Sequence, residues 1–378
     1  MTRTTGTLAW KPDWPQAKAN WIRFWNRQGM VIALHPRRRT PIAPLPEPPA
    51  PVNLEQRWLD VAYRAARTEY EMATHAFLAE GMPIFDTFIG PGSLGLFLGA
   101  GGHLDETTVW YSPCIDDPDA YGPIRFEPAG NVWFERHMAL IEMGLARANR
   151  RYLVGIPDLI EGLDTLAALR GDMALLYDLK ERPGWVQERL AEINAAYFQV
   201  FDLIYDRVRD ADDGSVFAAF RIWGPGKTAK LQCDISANIS ARMFRTFVSP
   251  FLAEQCAWLD YSLYHLDGTT ALQHVEPLLE IPRLNAIEWT PQAGLAGGGS
   301  PEWYDLYRRI LAGGKGVQAV GVELDEVIPL LDAVGPAGMC ILTSGEYGEA
   351  EAERLLKALE PYRQDSRPRT TTSGGIDG

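Results

Sequence analysis

The chain has 378 residues, of which 46% are apolar and 22% charged, and its 36 basic and 49 acidic side chains leave a net charge of −13. That composition suits a globular protein with a sizeable core, in one large domain or two ordinary ones. The excess of acid argues against nucleic acid or an anionic membrane as a partner, since both recruit basic surfaces.

No apolar run approaches the ~20 residues of a membrane span, and Met1 to Pro15 lacks the apolar stretch of a secretory signal. Cys114, Cys233, Cys256 and Cys340 are widely spaced, with no CxxC. Free thiols in a cytoplasmic protein are therefore expected.

In chain order, strand-like runs fall at Val31–His35, Pro83–Phe88, Tyr152–Leu159, Val216–Arg221, Ser262–Asp267, Ala286–Thr290, Val317–Glu323 and Met339–Ser344. Helical periodicity fills the gaps at Leu54–Glu80, Trp133–Arg150, Trp185–Arg209, Ala241–Tyr261, Pro301–Ala312, Asp325–Ala333 and Glu349–Leu359. Eight strands alternating with helices predict an α/β protein, specifically a (β/α)8 TIM barrel. An open doubly wound sheet loses its main support because no GxGxxG follows the first strand. Two segments exceed the minimal barrel. Pro36 to Val52 is a proline-rich lead-in, and Gly90 to Asn131 is a long insertion after the second strand. Insertions of that length serve as lids or oligomer contacts, which makes a homodimer an expectation. Residues 1–363 are taken as one domain and 364–378 as a disordered tail.

In a barrel the chemistry sits at the carboxyl ends of the strands. Those ends read His35, Asp86, Asp158, Arg221 with Trp223, His265 with Asp267, Glu288 with Trp289, Glu323, and Ser344 with Glu346. His265 and Asp267 carry the reading furthest. Two residues apart on a strand, they project from one face and can reach one point as a metal or acid–base pair. The bland alternatives are a hydrogen-bonded histidine without catalytic duty, indoles that merely pack, and a Glu323 that favours a helix dipole. His75 is expected at the surface, with His137 and His274 structural. The glycine-rich run Ala293 to Ser300 and Gly224-Pro225-Gly226-Lys227 could cradle phosphate, but neither has P-loop spacing.

Four segments together resemble the uroporphyrinogen decarboxylase superfamily, which holds porphyrinogen decarboxylases and zinc-dependent corrinoid methyltransferases. They are Phe88-Ile-Gly-Pro-Gly, Asp158 to Gly171, Ser249-Pro250-Phe251 and Tyr264-His265-Leu266-Asp267-Gly268. The resemblance implies a (β/α)8 barrel with a deep mouth. For the methyltransferase branch it implies zinc, and a corrinoid on a partner protein as methyl donor. That branch uses a His-x-Cys pair; here His265 matches the histidine, Asp267 stands at the cysteine position, and Glu346 lies near the later cysteine. The ligand set implied is thus His265, Asp267 and Glu346. The decarboxylases' arginine motif is absent from Val31 to Arg39, and an acidic mouth would repel an eight-carboxylate porphyrin.

Three activities on a small-molecule substrate follow. Metal-assisted methyl transfer ranks first, with His265, Asp267 and Glu288 catalytic. Hydrolysis or lysis of a glycoside ranks second, with Asp267 and Glu288 as acid and base and Trp223 and Trp289 as stacking platforms. Porphyrinogen-type decarboxylation ranks third. In each, Arg221, Asp158, His35 and Glu323 are candidate substrate contacts.

Overall fold

The structure, a computed structural model, describes residues 6–364. The expected tail lies outside the described residues except for Gln364, which ends the last helix. The strands are β1 (Val31–Leu34), β2 (Leu78–Ala79), β3 (Ile84–Phe85), β4 (Gly101–Leu104), β5 (Val109–Ser112), β6 (Leu153–Val154) and β7 (Gly214–Phe217). There follow β8 (Ile222–Pro225), β9 (Thr228–Gln232), β10 (Tyr261–Asp267), β11 (Ala286–Thr290), β12 (Gly316–Val322) and β13 (Met339–Thr343).

Seven of them form a mixed central sheet in the order β2-β1-β13-β12-β11-β10-β9, with every pair parallel except β2 with β1. β3 pairs with β6 in parallel, and a bridge from Ile156 to Phe217 carries that ladder to β7. Between β7 and β9 the join is an isolated parallel bridge, Gly214 to Gly226, with the Gly226 N–H on the Asp213 carbonyl at 3.1 Å. A side chain reinforces it: Ser215 Oγ donates to the Gly226 carbonyl at 2.7 Å and accepts the Thr228 N–H at 3.1 Å. Beside β1 the buried Glu80 carboxylate accepts from Ile32 N–H at 2.9 Å, Asn20 Nδ2 at 2.7 Å and both Arg363 terminal nitrogens. Among the described residues the ladders are thus arcs joined by isolated bridges and side chains, and no single hydrogen-bonded ring closes.

The expected strand Val216–Arg221 is corrected. Only its first half is strand; residues 218–221 turn, with Arg221 N–H on the Ala218 carbonyl at 3.1 Å, and β8 runs back antiparallel to β7. The strand that completes the parallel sheet here is β9. Its polar residues Thr228, Lys230 and Gln232 alternate with Ala229 and Leu231, an alternation whose polar face points inward.

A helix at Trp14–Trp25 buries Trp14, Ala17, Trp21, Phe24 and Trp25 against the amino ends of the strands, where Trp25 Nε1 donates to the Trp223 carbonyl at 2.8 Å. No helix was expected there, although Trp14, Ala17, Trp21, Phe24 and Trp25 mark one apolar face at helical spacing. The long expected helices at Leu54–Glu80 and Ala241–Tyr261 each divide. Asp60 ends one segment and caps the next through Tyr63 N–H, and the second breaks at Val248 before Ser249-Pro250. The insertion after β3 folds as a short helix, Ser93–Phe97, and the β4–β5 hairpin.

Candidate metal centre and adjoining cavity

Strand register builds the first site. Gln232, His265, Glu288, Gln318 and Cys340 are successive partners across β9 to β13, so five strands place their side chains in one row. Neighbours in a parallel row point the same way. The contacts agree: His265 Nδ1 meets Glu288 Oε2 in a short hydrogen bond, and Gln318 Nε2 lies 3.5 Å from Cys340 Sγ. Glu288 is wholly buried and also accepts from Thr290 Oγ1 at 2.6 Å. Burial disfavours charge on the imidazole, but the Glu288 carboxylate outweighs it and holds His265 above the ordinary histidine range. With Nδ1 committed to Glu288, the ring offers Nε2 outward.

Nε2 does not face an empty rim. One donor atom each from Asp234, His265 and Asp267 lies within 4.8 Å of the others. Asp234 sits just beyond β9, and its loop is clamped by Asp164, which accepts the Asp234 N–H at 2.7 Å and the Ile235 N–H at 2.9 Å. Gln232 Nε2 donates to Asp234 at 2.8 Å. Asp234 and Asp267 are exposed at the mouth and His265 is half-buried. Neighbouring protein that displaces water from the Asp234 carboxyl, then Asp164 and Asp267, push it up to about 6, against the pull of His265 and Lys230. Below lies a buried ion pair, Lys230 Nζ to Asp158 at 2.7 Å. Beside it Glu161 accepts the Gln232 N–H at 2.8 Å, and burial pushes its carboxyl up to about 8 despite Lys230.

Two carboxylates and an imidazole form a hard donor set that suits a divalent cation such as zinc, without the thiolates of a soft site. A carboxylate behind the liganding histidine is the usual device for fixing its tautomer and raising its basicity. The residues present therefore fit a metal ion.

The second site is a cavity of about 860 Å³ lined from different elements. His35 after β1, Asp86 after β3, Arg221 in the β7–β8 turn and Ser344 after β13 reach it, together with Arg57 and Arg64 from the two helices after the proline-rich lead-in. His265, Asp267 and Glu288 do not line it. Phe220 packs on the recess, its ring centroid 4.9 Å from that of His265, while its neighbour Arg221 faces the cavity. Arg221 donates to His35 Nδ1 at 2.9 Å. Since a guanidinium only donates, His35 is neutral there. Burial, then Arg221, hold its pKa well below the ordinary value.

Several expectations change accordingly. The strand-end residues do not surround one acidic opening; they divide between a carboxylate-rich recess and a guanidinium-rich cavity, so charge repulsion does not bar an organic acid from the mouth. Trp223 is 2% exposed and packs edge-on against Trp14 at 5.6 Å, because the reversal at residues 218–221 carries it back below the mouth. Trp289 is fully buried against Trp303, on the outward face of β11. Neither indole is a stacking platform. Asp158 is engaged by Lys230 rather than open to ligand. Glu346 is exposed after β13, and Asp234 takes the place it was expected to fill beside His265 and Asp267. Glu323 lies exposed at the rim and accepts from Ser344 Oγ at 2.8 Å. His75 lines the cavity instead of the outer surface, while His137 and His274 are buried as expected.

Neither glycine-rich segment cradles an anion. A Cβ on Gly297 would come within 2.2 Å of the Gly321 carbonyl oxygen, so that glycine permits close backbone packing on β12. Lys227 is at the amino end of β9, far from the mouth, paired with Asp202 at 2.6 Å.

Asp234, Asp164, Glu161 and Lys230, and the cavity's Arg57 and Arg64, were not singled out from the sequence. For the first set the inward polar alternation Thr228, Lys230, Gln232, Asp234 was the available signal.

No family model matches the chain, and no curated protein matches it in sequence. Solved structures do match. One is a methyltransferase from Methanosarcina mazei, at a TM-score of 0.53 and 9% identity, covering 86% of this chain and 93% of that one. Likeness at so low an identity is one of fold: a mixed α/β, methyltransferase-like fold with a parallel central sheet. Among the described residues no helix is long and apolar enough to cross a membrane.

Proposed function

We propose that the chain is a metal-assisted methyl-transfer enzyme on a (β/α)8 barrel, with Asp234, His265 and Asp267 as the ligands of a divalent cation. The observation that carries this reading is the convergence of those three donors on a histidine already backed by a buried glutamate. The methyltransferase-like fold is consistent with it. A cation bound there supplies Lewis acidity that lowers the pKa of a coordinated acceptor such as a thiol or water. The chain's own residues do the rest. Glu288 fixes the His265 ring with Nε2 outward, Asp164 holds the Asp234 loop, and Phe220 packs against the His265 ring. An acceptor thiol would lose its proton to solvent and take the methyl group from an activated donor, under this reading a corrinoid carried by a partner protein, whose cobalt would keep the electron pair of the broken cobalt–carbon bond.

Hydrolysis of a glycoside fares worse. Glu288 is sealed from solvent with both oxygens engaged, and the two indoles are core.

The test is elemental analysis of purified protein followed by zinc titration into the metal-free form. About one equivalent of bound divalent ion, lost in His265→Ala and Asp234→Ala, is expected, with methyl transfer from methylcobalamin to a thiol dependent on it. Failure of the metal-free protein to take up any divalent ion would remove the reading.

A further inference from the structure

Lys230 is the buried charge that the proposed chemistry leaves without a task. Its side chain is fully buried at the centre of β9, a placement that is costly for a lysine unless partners surround the ammonium. Asp158 supplies the counter-charge at 2.7 Å. Nζ makes two further kinds of contact, and each leads to a proposed metal ligand.

The first runs through Gln232, which shares the inward face of β9 with Lys230. Lys230 Nζ donates to Gln232 Oε1 in a short hydrogen bond. An ammonium only donates, so the amide has to turn its oxygen to Lys230 and its NH2 group the other way. Nε2 then meets Asp234 Oδ2 at 2.8 Å and Asp164 at 3.3 Å. Reversed, the amide would set its oxygen against both carboxylates and its NH2 against the ammonium, and each of these contacts would turn repulsive. The second runs through Phe220. Nζ lies 5.2 Å from the centroid of that ring, within range of a cation–π contact, and the same ring packs on His265 at 4.9 Å.

From these contacts we infer that Lys230 is a positioning residue of the metal centre: it fixes the Gln232 amide so that one Asp234 oxygen is held by a donor and the other is left for the cation. The inference rests on the metal reading of Asp234, His265 and Asp267. Gln232 thereby does for Asp234 what Glu288 does for His265, since a liganding carboxylate is itself oriented by a hydrogen bond. Asp158 holds the ammonium in place beneath them.

Removing Lys230 alone would leave Asp158 buried without a partner and mix the result with unfolding. The experiment therefore uses three variants of the full chain: Lys230→Met with Asp158→Asn, which removes both charges; Gln232→Leu; and the three substitutions together. Urea unfolding measures stability, and competition with a chelator measures zinc affinity. The paired variant should unfold at a urea midpoint close to wild type, because exchanging a buried ion pair for neutral groups of similar size is often near neutral. It should nevertheless bind zinc about tenfold more weakly, and Gln232→Leu about 10- to 100-fold more weakly. The triple variant should bind no more weakly than Gln232→Leu, since Lys230 acts through that amide. Wild-type zinc affinity in the paired variant, losses that simply add in the triple one, or a zinc loss that appears only with lost stability would each overturn the role. A wild-type chain that takes up no zinc removes the metal reading and this role together, whereas zinc bound equally by wild type and variants removes this role alone.

Discussion

The His265 recess and the Arg221 cavity share one end of the molecule and differ in how they are made. The recess rests on strand register: five adjacent strands put Gln232, His265, Glu288, Gln318 and Cys340 in one row, and a ladder fixes such a row to within tenths of an ångström. Its charge is mostly carboxylate, and loss of water, then Asp164, push Asp234 up to about 6. The cavity rests on a turn, two short helices and loop ends, and its charge is mostly guanidinium. Rigid, short-range placement suits a small ion, whereas wide placement on separate loops suits a larger molecule with charged corners. Net charge predicts neither, because each site's sign is set by which few residues the fold brings together.

The largest effect that would sharpen the contrast lies in neither site. Trp223→Ala should lower stability by about 3–5 kcal/mol, as for other large buried aromatics, measured by denaturant unfolding. A variant of unchanged stability would take the indole out of the core. His265→Ala removes a ligand outright and should weaken divalent metal by more than about 100-fold in zinc titration. Glu288→Gln keeps the ligand but weakens its support, so a loss of about 10- to 100-fold in zinc affinity is expected from competition titration. Arg221→Gln should leave zinc content at wild-type level; a loss of zinc would merge the two regions into one site.

A further signal is a slope. Burial pushes the Glu161 carboxyl up to about 8 in the folded chain, against about 4.3 for an unperturbed glutamate. Between those values the folded state holds the extra proton, so stability should fall as pH rises through that window, by at most about 1.4 kcal/mol per pH unit. The penalty is absent below the unfolded value and complete above the folded one. Glu161→Gln, which cannot ionise, should flatten that part of the urea-unfolding profile.

Much of this was legible before folding. Ala286–Thr290 was read to the residue, and β10, β12 and β13 to within one, because each is a mainly apolar run bounded by turn signals. The pairing of His265 with Asp267 followed from the two-residue period alone. Local pattern failed at residues 216–232, where a reversal and a second strand replaced one expected strand. There the turn falls on Arg221 rather than on a glycine, and the polar side of β9 faces inward, so the two usual cues both mislead. Correcting that segment moves Trp223 into the core and supplies Lys230, Gln232 and Asp234 to the recess.

The sequence by itself determined which segments alternate between strand and helix and that His265 and Asp267 leave one strand on the same side, since both depend on periods shorter than ten residues. Only the tertiary structure decided that Asp234 rather than Glu346 joins them, that Glu288 backs the imidazole, and that Arg57, Arg64 and Arg221 meet in one cavity. Those choices depend on register between strands and on where a turn aims its side chain, and contacts between residues up to 164 positions apart leave no periodic trace along the chain.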